Sequence, residues 1–443
     1  MKNKLIEIFR ESVQSVIPKN LFESNIRLNG DIIELFDTKI DTAKYNSIKV
    51  ISVGKAAYPM TLALINILKD KIENGISVNL KKVLSPVKNI KIIYGSHPYP
   101  DEKSVNSAKE IINFINREIK GNELVFFLIS GGASALMTLP ANGINLEDMI
   151  KTTKTVMNTG VNIKELNTIR KHLSAIKGGR IAEMIHPAKL ITIAISDVQD
   201  DDLEDIGSGP TVPDPSTFQD CIDILNKYEI IDKIPEKVLS YFKKGVLGEI
   251  KESIKPNSEI FKDNKSYIIG NTLYALKKGE ALFKKEGLKT MILTSNDCGE
   301  AKEIAKLYSA IIKETIKTGN PASPPLVFLT GGELTVNVKG TGKGGRNQEL
   351  ILAMLLELEN LKNRFCILSG GTDGIDGPTD TAGAIIDNSI YNKIKELKII
   401  PQDYLLNNDA YNFFKQTDSL IFTGPTDTNV RDIRFFYIGE KIE

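Results

Sequence analysis

Short β-branched apolar runs, each closing on a glycine-bearing or polar turn and followed by an amphipathic stretch, recur along almost the whole chain of 443 residues. That alternation is the pattern of strand-helix units, so it constrains the chain to an α/β fold built on mostly parallel sheets. Strands are expected at Lys49 to Val53, Ile90 to Tyr94, Leu124 to Ile129, Leu190 to Ile195, Ser266 to Ile269, Thr290 to Leu293, Leu326 to Leu329, Leu334 to Val338 and Phe365 to Leu368. Between Glu236 and Ser266 the strand signals stop and a lysine- and glutamate-studded segment takes over, which places a domain boundary near residues 250 to 265.

Charge narrows the range of partners. Lysine and arginine total 57 against 56 acidic residues, a formal net charge of +1, which leaves no electrostatic footprint for coating nucleic acid or gripping an anionic membrane. The opening MKNKLIEIFRESVQSVI sets charges among its apolar positions and reads as an amphipathic helix, neither a signal peptide nor an anchor. Apolar runs such as Val125 to Ile129 are far too short to span a bilayer. A cytoplasmic protein is expected, without nucleic-acid or membrane partners. Cys221, Cys298 and Cys366 form no CxxC pair, His97, His172 and His186 lack HExxH spacing, and no GxSxG elbow occurs. Neither thiolate zinc, a zincin helix nor a serine triad is supported.

A local similarity recurs in LVFFLISGGASA (124–135), LVFLTGGELT (326–335) and FCILSGGTDG (365–374). Paired glycines after a strand bring peptide N–H groups close to a ligand where a Cβ would collide, and in open α/β sheets ligands bind at the carboxyl ends of strands. A tight strand-to-helix turn would leave the same trace in any one copy. The recurrence favours anion binding by Ser130, Gly131, Gly132, Ala133 and Ser134, by Gly331, Gly332 and Glu333, and by Gly374. No GxxxxGK[ST] loop exists, since alanine follows Gly54-Lys55 and glycine follows Gly342-Lys343. GTGKGGRNQELILA (340–353) sets glycines, a lysine and an arginine before an apolar-periodic helix starting near Asn347. Donors and cations at a helix start make an anion cradle from Gly344, Gly345 and Asn347 with Arg346 as bidentate clamp; a solvated turn is the alternative.

Lys55 follows the strand VISVG, and its neighbours Gly54, Ala56 and Ala57 offer its stem no apolar surface. A cation aimed at a transferring phosphoryl group is favoured over a snorkelling surface residue. NTIRKHLSAIKGGRIAEMI reads as one helix with Asn167, Lys171 and Ser174 on a polar face, ending at Gly178-Gly179, with Arg180 in a further donor-rich turn. Asp197 stands at the end of the strand in LITIAISDVQDD, a position for a magnesium ligand, a general base or a helix cap. Asp373, Asp376 and Asp380 crowd one glycine-rich loop. Carboxylates so close repel unless a cation or donors compensate them, which suggests Mg²⁺ or a hydroxyl-bearing substrate, with turn-forming aspartates as the alternative.

Taken together, SVGKAA (52–57), GSHPYPD (95–101), SGGASALM (130–137), NTIRKHLSAIKGGRIA (167–182), SDVQDDDLEDIGSGPTVPDPSTF (196–218), TGGELTV (330–336), GKGGRNQE (342–349), SGGTDGIDGPTDTAGA (369–384) and TGPTDTNVRDI (423–433) resemble the type-2 glycerate kinases, whose carboxyl-terminal part is the MOFRL domain. The resemblance covers nearly the whole chain. It implies ATP- and Mg²⁺-dependent phosphorylation of D-glycerate, in this group usually at the 2-hydroxyl to give 2-phosphoglycerate. It also implies a larger Rossmann-like domain over 1–255, a smaller α/β MOFRL domain over 256–443 and an active site in the cleft between them. The family's catalytic lysine matches Lys55 and its catalytic arginine Arg346, and the Ser130 to Ser134 turn and Asp197 carry over with them. Asp197 and Asp373 compete as Mg²⁺ ligand and as acceptor of the hydroxyl proton. Two departures stand out: an extra serine in Gly95-Ser96-His97-Pro98, and Asp427 where the pattern TGPTGTN has glycine. Transfer to the 3-hydroxyl is a further alternative. So are an NAD(P)-dependent hydroxypyruvate reductase, which lacks its GxGxxG here, and a sensor of a small phosphorylated acid. Monomer and homodimer are equally compatible with the sequence.

Overall fold

A strand buried at every position needs cover on both faces. In the computed structural model, which describes residues 1–83 and 87–441, the run Glu123–Ile129 is such a strand and sits inside a six-stranded sheet. That sheet belongs to the first of two compact units, Leu21–Ile269. The unit opens with a small antiparallel meander, β1 (Ile26–Asn29), β2 (Ile32–Leu35) and β3 (Thr38–Asp41). The main sheet follows from β4 (Ser47–Val53), β5 (Ile72–Asn79), β6 (Ile90–Tyr94), β7 (Glu123–Ile129), β8 (Lys189–Ile195) and β9 (Lys265–Gly270). Its order is β6-β5-β4-β7-β8-β9, with β4 to β8 mutually parallel. The chain therefore winds outward from β4, returns, and winds outward again from β7, which is the Rossmann order with its reversal between β4 and β7. Helices Leu146–Met157, Ile163–His172, Phe218–Lys227 and Glu236–Val246 enclose a separate apolar cluster around Ile169, Phe218, Leu225 and Phe242.

The second unit joins Met1–Asn20 to Gly270–Glu443. Its sheet runs β10-β11-β15-β12-β13-β14, from β10 (Lys289–Glu300), β11 (Leu326–Thr335), β12 (Asn363–Gly371), β13 (Gly383–Asp387), β14 (Leu420–Ile421) and β15 (Asp432–Lys441). Among the described residues of this sheet only β10 and β11 pair in parallel; the other pairings are antiparallel. The expectation of parallel sheets thus holds in the first unit and not in the second, because the last strand, β15, inserts antiparallel between β11 and β12.

Other boundaries differ from the sequence reading. The chain passes to the second unit at residue 270 rather than 256, since residues 265–270 form β9 and extend the first sheet. The opening helix Lys2–Ser15 is amphipathic as expected, but its buried Leu5, Ile8, Phe9 and Val13 serve the second unit, where it packs on helix Thr272–Lys285. The segments 326–329 and 334–338 are one strand ending at Thr335. The single helix expected from Asn167 to Gly178-Gly179 stops earlier, at His172, and a separate helix starts at Arg180. Between them Gly178 and Gly179 take φ of 58° and 80°, and Arg180 Nη1 donates to the carbonyls of Lys171 and Lys177, so this guanidinium closes the turn. Among the described residues no helix is long and apolar enough to cross a membrane.

Asp427 explains its own departure from the family pattern, for its φ is 60°, a left-handed conformation that glycine adopts freely and aspartate tolerates. Asp427→Gly is expected to leave stability unchanged or raise it by up to about 1 kcal/mol, whereas Asp427→Val should lower it by about 1–2 kcal/mol. Urea unfolding of the two variants side by side reads the difference; equal midpoints would contradict the backbone argument.

Candidate active site

The chain turns over at the carboxyl ends of β4 and β7, where the winding reverses, and the two turns are stitched together. The Lys55 N–H donates to Gly131 O at 2.9 Å, the Ala56 N–H to Ser130 Oγ at 3.0 Å and the Ser130 N–H to Val53 O at 3.1 Å. Ser130 is buried, so its hydroxyl fastens the turns rather than facing a ligand, while the Lys55 side chain is exposed. The next strand, β8, delivers Asp197. A Cβ on Gly131 would lie 1.8 Å from Asp197 Oδ2, so only glycine lets that carboxylate rest against the turn. The third wall follows β6: a Cβ on Gly132 would lie 3.0 Å from His97 Cδ2 and 3.3 Å from Lys55 Cγ. Partial burial, then the Lys55 ammonium, hold the His97 imidazole below its ordinary pKa, which keeps it neutral near pH 7. The structure therefore brings Lys55, Gly131, Gly132 and Asp197 together as expected, and adds His97. The signal for His97 was a histidine in the turn after a strand.

Behind this turn the expected binding residues are committed elsewhere. Ala133 is buried, and Ser134 Oγ accepts from Lys177 Nζ at 2.7 Å and lies 3.2 Å from Ser208 Oγ. Asn167 Nδ2 donates to Asp205 Oδ1 at 2.8 Å and its carbonyl accepts from Ser208 Oγ at 3.1 Å. Lys171, 4% exposed, pairs with Glu204 and Asp214 at 3.2 Å each. Asn167 and Lys171 thus hold the 204–214 loop to the helix beneath it. Lys177, unnoticed in the sequence, is 1% exposed and also donates to the carbonyls of Ser134 and Gly207. Burial, with Arg170 nearby, pulls its pKa down to about 7.

In the second unit Gly331 and Gly332 lie inside β11 rather than in a turn. Gly332 has φ of 149° and a Cβ there would lie 2.2 Å from Asp297 O, so this glycine serves strand packing against β10. The expected cradle before Arg346 is filled by the protein itself. The Thr341 and Lys343 N–H groups donate to Asn407 Oδ1 and Asp409 Oδ1, and those of Asn347 and Gln348 to the Asp376 carboxylate at 3.0 and 2.9 Å. Gly344 and Gly345 pack on Ala410 and Asp376. Asn347 is fully buried. Burial pushes Asp376 up to about 6 even though these amides oppose it.

Arg346 opens helix Arg346–Glu357. It grips Asp432 in bidentate fashion, Nε to Oδ2 at 2.6 Å and Nη2 to Oδ1 at 2.9 Å, and its Nη1 lies 3.4 Å from Glu333 Oε1. Asp432 also accepts from Arg434, which holds Asp297 through Nη1 at 2.7 Å to both oxygens. Asp297, Asp432 and Arg434 were missed; the signal was an Asp and an Arg two apart in DIRFF, hence on one face of β15. Asp373 accepts from the Ile375 N–H at 3.0 Å, and a Cβ on Gly371 would lie 3.0 Å from its Oδ1 and 3.5 Å from Asp432 Oδ1. Gly374 packs on Gly424, and Asp380 is exposed. The three loop aspartates diverge, and among the described residues no group of three or more His, Cys, Asp or Glu side chains is placed to hold a metal ion.

Comparison with known proteins agrees with this architecture. Residues 4–243 match a family described as a domain of unknown function (DUF4147), and residues 326–432 match the MOFRL family. A glycerate 2-kinase of Pyrococcus horikoshii is 38% identical over 437 residues, covering 98% of this chain and 97% of that protein. A D-glycerate 2-kinase of Thermotoga maritima is 37% identical with the same coverages, and a protein of Agrobacterium vitis named "Putative hydroxypyruvate reductase" is 37% identical over 88% of this chain and 99% of its own. A crystal structure of the Thermotoga maritima glycerate kinase superposes with a TM-score of 0.86 at 35% identity, covering 99% of each chain. With relatives of this likeness matching from end to end, the chain belongs to the glycerate 2-kinase family with a carboxyl-terminal MOFRL domain.

Proposed function

We propose that the protein transfers the γ-phosphoryl group of ATP to the 2-hydroxyl of D-glycerate, releasing 2-phosphoglycerate, ADP and a proton. The observation that carries this reading is the assembly of Lys55, the Gly131 turn and Asp197 at the reversal point of a parallel sheet, in a chain whose relatives are named glycerate 2-kinases. The glycerate oxygen attacks the γ-phosphorus, the bond to the β–γ bridging oxygen breaks, and ADP departs with that electron pair. Lys55 neutralises charge on the equatorial oxygens. Arg346, which matches the family's arginine and is oriented by Asp432, is the second cation assigned to the transfer. Mg²⁺ comes with ATP and needs only one or two protein carboxylates beside the phosphate oxygens; partly exposed Asp197 fits that requirement, with Asp373 as the candidate in the second unit. When bound, the ion draws off phosphate charge. The carboxylate left uncoordinated accepts the hydroxyl proton. We infer a cytoplasmic enzyme with small-molecule substrates, as monomer or homodimer.

Incubation with Mg·ATP and D-glycerate, followed by enolase without phosphoglycerate mutase, tests the reading. Phosphoenolpyruvate absorbance should rise. Glycerate-dependent ADP without that rise would mean transfer to the 3-hydroxyl. The Agrobacterium vitis relative motivates a second reading, reduction of hydroxypyruvate; NADH absorbance lost on adding hydroxypyruvate would favour it over the kinase.

A further inference from the structure

Beside the turn that carries Gly132 and Ser134 the first unit holds a cavity of about 370 Å³, walled by the segment after β6 and by helices Leu146–Met157 and Ile163–His172. Its apolar wall is Tyr99, Met149, Ile150 and Met157, and its charged residues are all cationic, Lys154, Arg170 and Lys177. Among the described residues that line it there is no carboxylate. Lys154 Nζ stands 4.9 Å from the centre of the Tyr99 ring. Arg170 Nη2 lies 3.8 Å from Met157 Sδ. Lys177 has only oxygens of Ser134 and Gly207 as partners in the hydrogen bonds described above. Cations gathered at an apolar cavity call for a ligand that brings its own negative charge. A three-carbon hydroxy acid has the charge but no body to cover an aromatic and methionine wall. A purine nucleoside with its phosphates has both, and the volume is within the range of such pockets.

We propose that this cavity receives the base and ribose of ATP, with Arg170 facing the phosphates as they run along the Gly132 turn toward Lys55. The identity of the ligand rests on the kinase reading above; the charge and shape of the cavity do not. Stacking on Tyr99 would orient the base, and the glycine at 132 leaves room for the phosphates to pass.

The chain contains no tryptophan, so Tyr99→Trp places a single indole reporter at the cavity. ATP and ADP are expected to change its emission saturably, near the KM for ATP, while D-glycerate leaves it unchanged. Thr153, which also lines the cavity, offers a second measurement. Thr153→Phe should raise the KM for ATP by about tenfold or more without moving that for D-glycerate, and Arg170→Gln should do the same through charge. An emission that responds to D-glycerate and not to ATP, or an unchanged KM for ATP in both folded variants, overturns the assignment. If wild-type protein forms ADP with glycerate and the indole is silent to ATP, the cavity assignment falls and the kinase stands. If no ADP forms yet ATP titrates the indole, the kinase reading falls and the nucleotide site stands.

Discussion

Lys55→Ala is expected to lower kcat by about two orders of magnitude or more with no loss of stability. The side chain is exposed, and the backbone bond from residue 55 to Gly131 O survives the change. What disappears is a positive charge at the carboxyl edge of the sheet, 3.3 Å at its Cγ from where a Cβ on Gly132 would stand and on the same turn as Asp197. A charge that matters only as the phosphoryl group moves affects kcat and kcat/KM alike. A variant with normal kcat and a raised KM for D-glycerate would reassign Lys55 to holding the substrate carboxylate. Combining it with Arg346→Ala tests whether both cations serve one phosphoryl group: a double loss well short of the product of the single losses indicates coupling, and a full product indicates separate roles. Asp197→Asn sorts the acidic partner. Weaker Mg·ATP binding in equilibrium dialysis marks a metal ligand, and unchanged binding with lost turnover marks the proton acceptor.

The first unit was the more legible half, and the reason is burial. Strands β4, β7 and β8 are covered on both faces, so they appear as unbroken apolar runs, and the loops after them bring Lys55, Ser130 to Ser134 and Asp197 to one edge. β5 escaped because Gly75 interrupts it, where a Cβ would lie 2.5 Å from Val50 O on the neighbouring strand. β15 escaped although it carries the apolar run from Phe435 to Ile438, because Asp432 and Arg434, both fully buried, make its opening read as a polar segment. Glycine pairs misled for a related reason: one copy is a turn at the carboxyl edge of the first sheet and the others admit close strand packing, which local sequence does not separate. Lys171 and Asn347 misled because a polar side chain shows its chemistry in sequence but not its partner. A cradle of donors around Arg346 looked open until Asp376, twenty-nine residues beyond Asn347 along the chain, proved to occupy it.

Asp432→Ala should be the most damaging single change in the second unit, costing about 3–5 kcal/mol in stability. The carboxylate is fully buried, receives two bonds from Arg346 and a third from Arg434, and sits in the one strand that joins β11 to β12. Removing it leaves Arg434, itself fully buried, to Asp297 alone, and leaves Arg346 with only the looser contact to Glu333. Burial by itself would raise the Asp432 pKa, but Arg346 and then Arg434 outweigh it and hold the group below the usual carboxylate value. A depressed carboxylate contributes its stability above the unfolded pKa of about 3.9 and loses it as pH falls through the folded pKa. Urea midpoints should therefore separate wild type from Asp432→Ala widely at pH 7 and start to converge only below about pH 4, as pH falls toward the depressed folded pKa. Asp432→Asn keeps the shape and one acceptor while removing the charge, so it should recover part of the stability; its activity then reports on Arg346. If Arg346 must be oriented for phosphoryl transfer, kcat stays low in Asp432→Asn at unchanged KM for ATP. Midpoints unmoved by Asp432→Ala at pH 7 would show that the buried network contributes nothing, and full kcat in Asp432→Asn would release Arg346 from the role proposed for it.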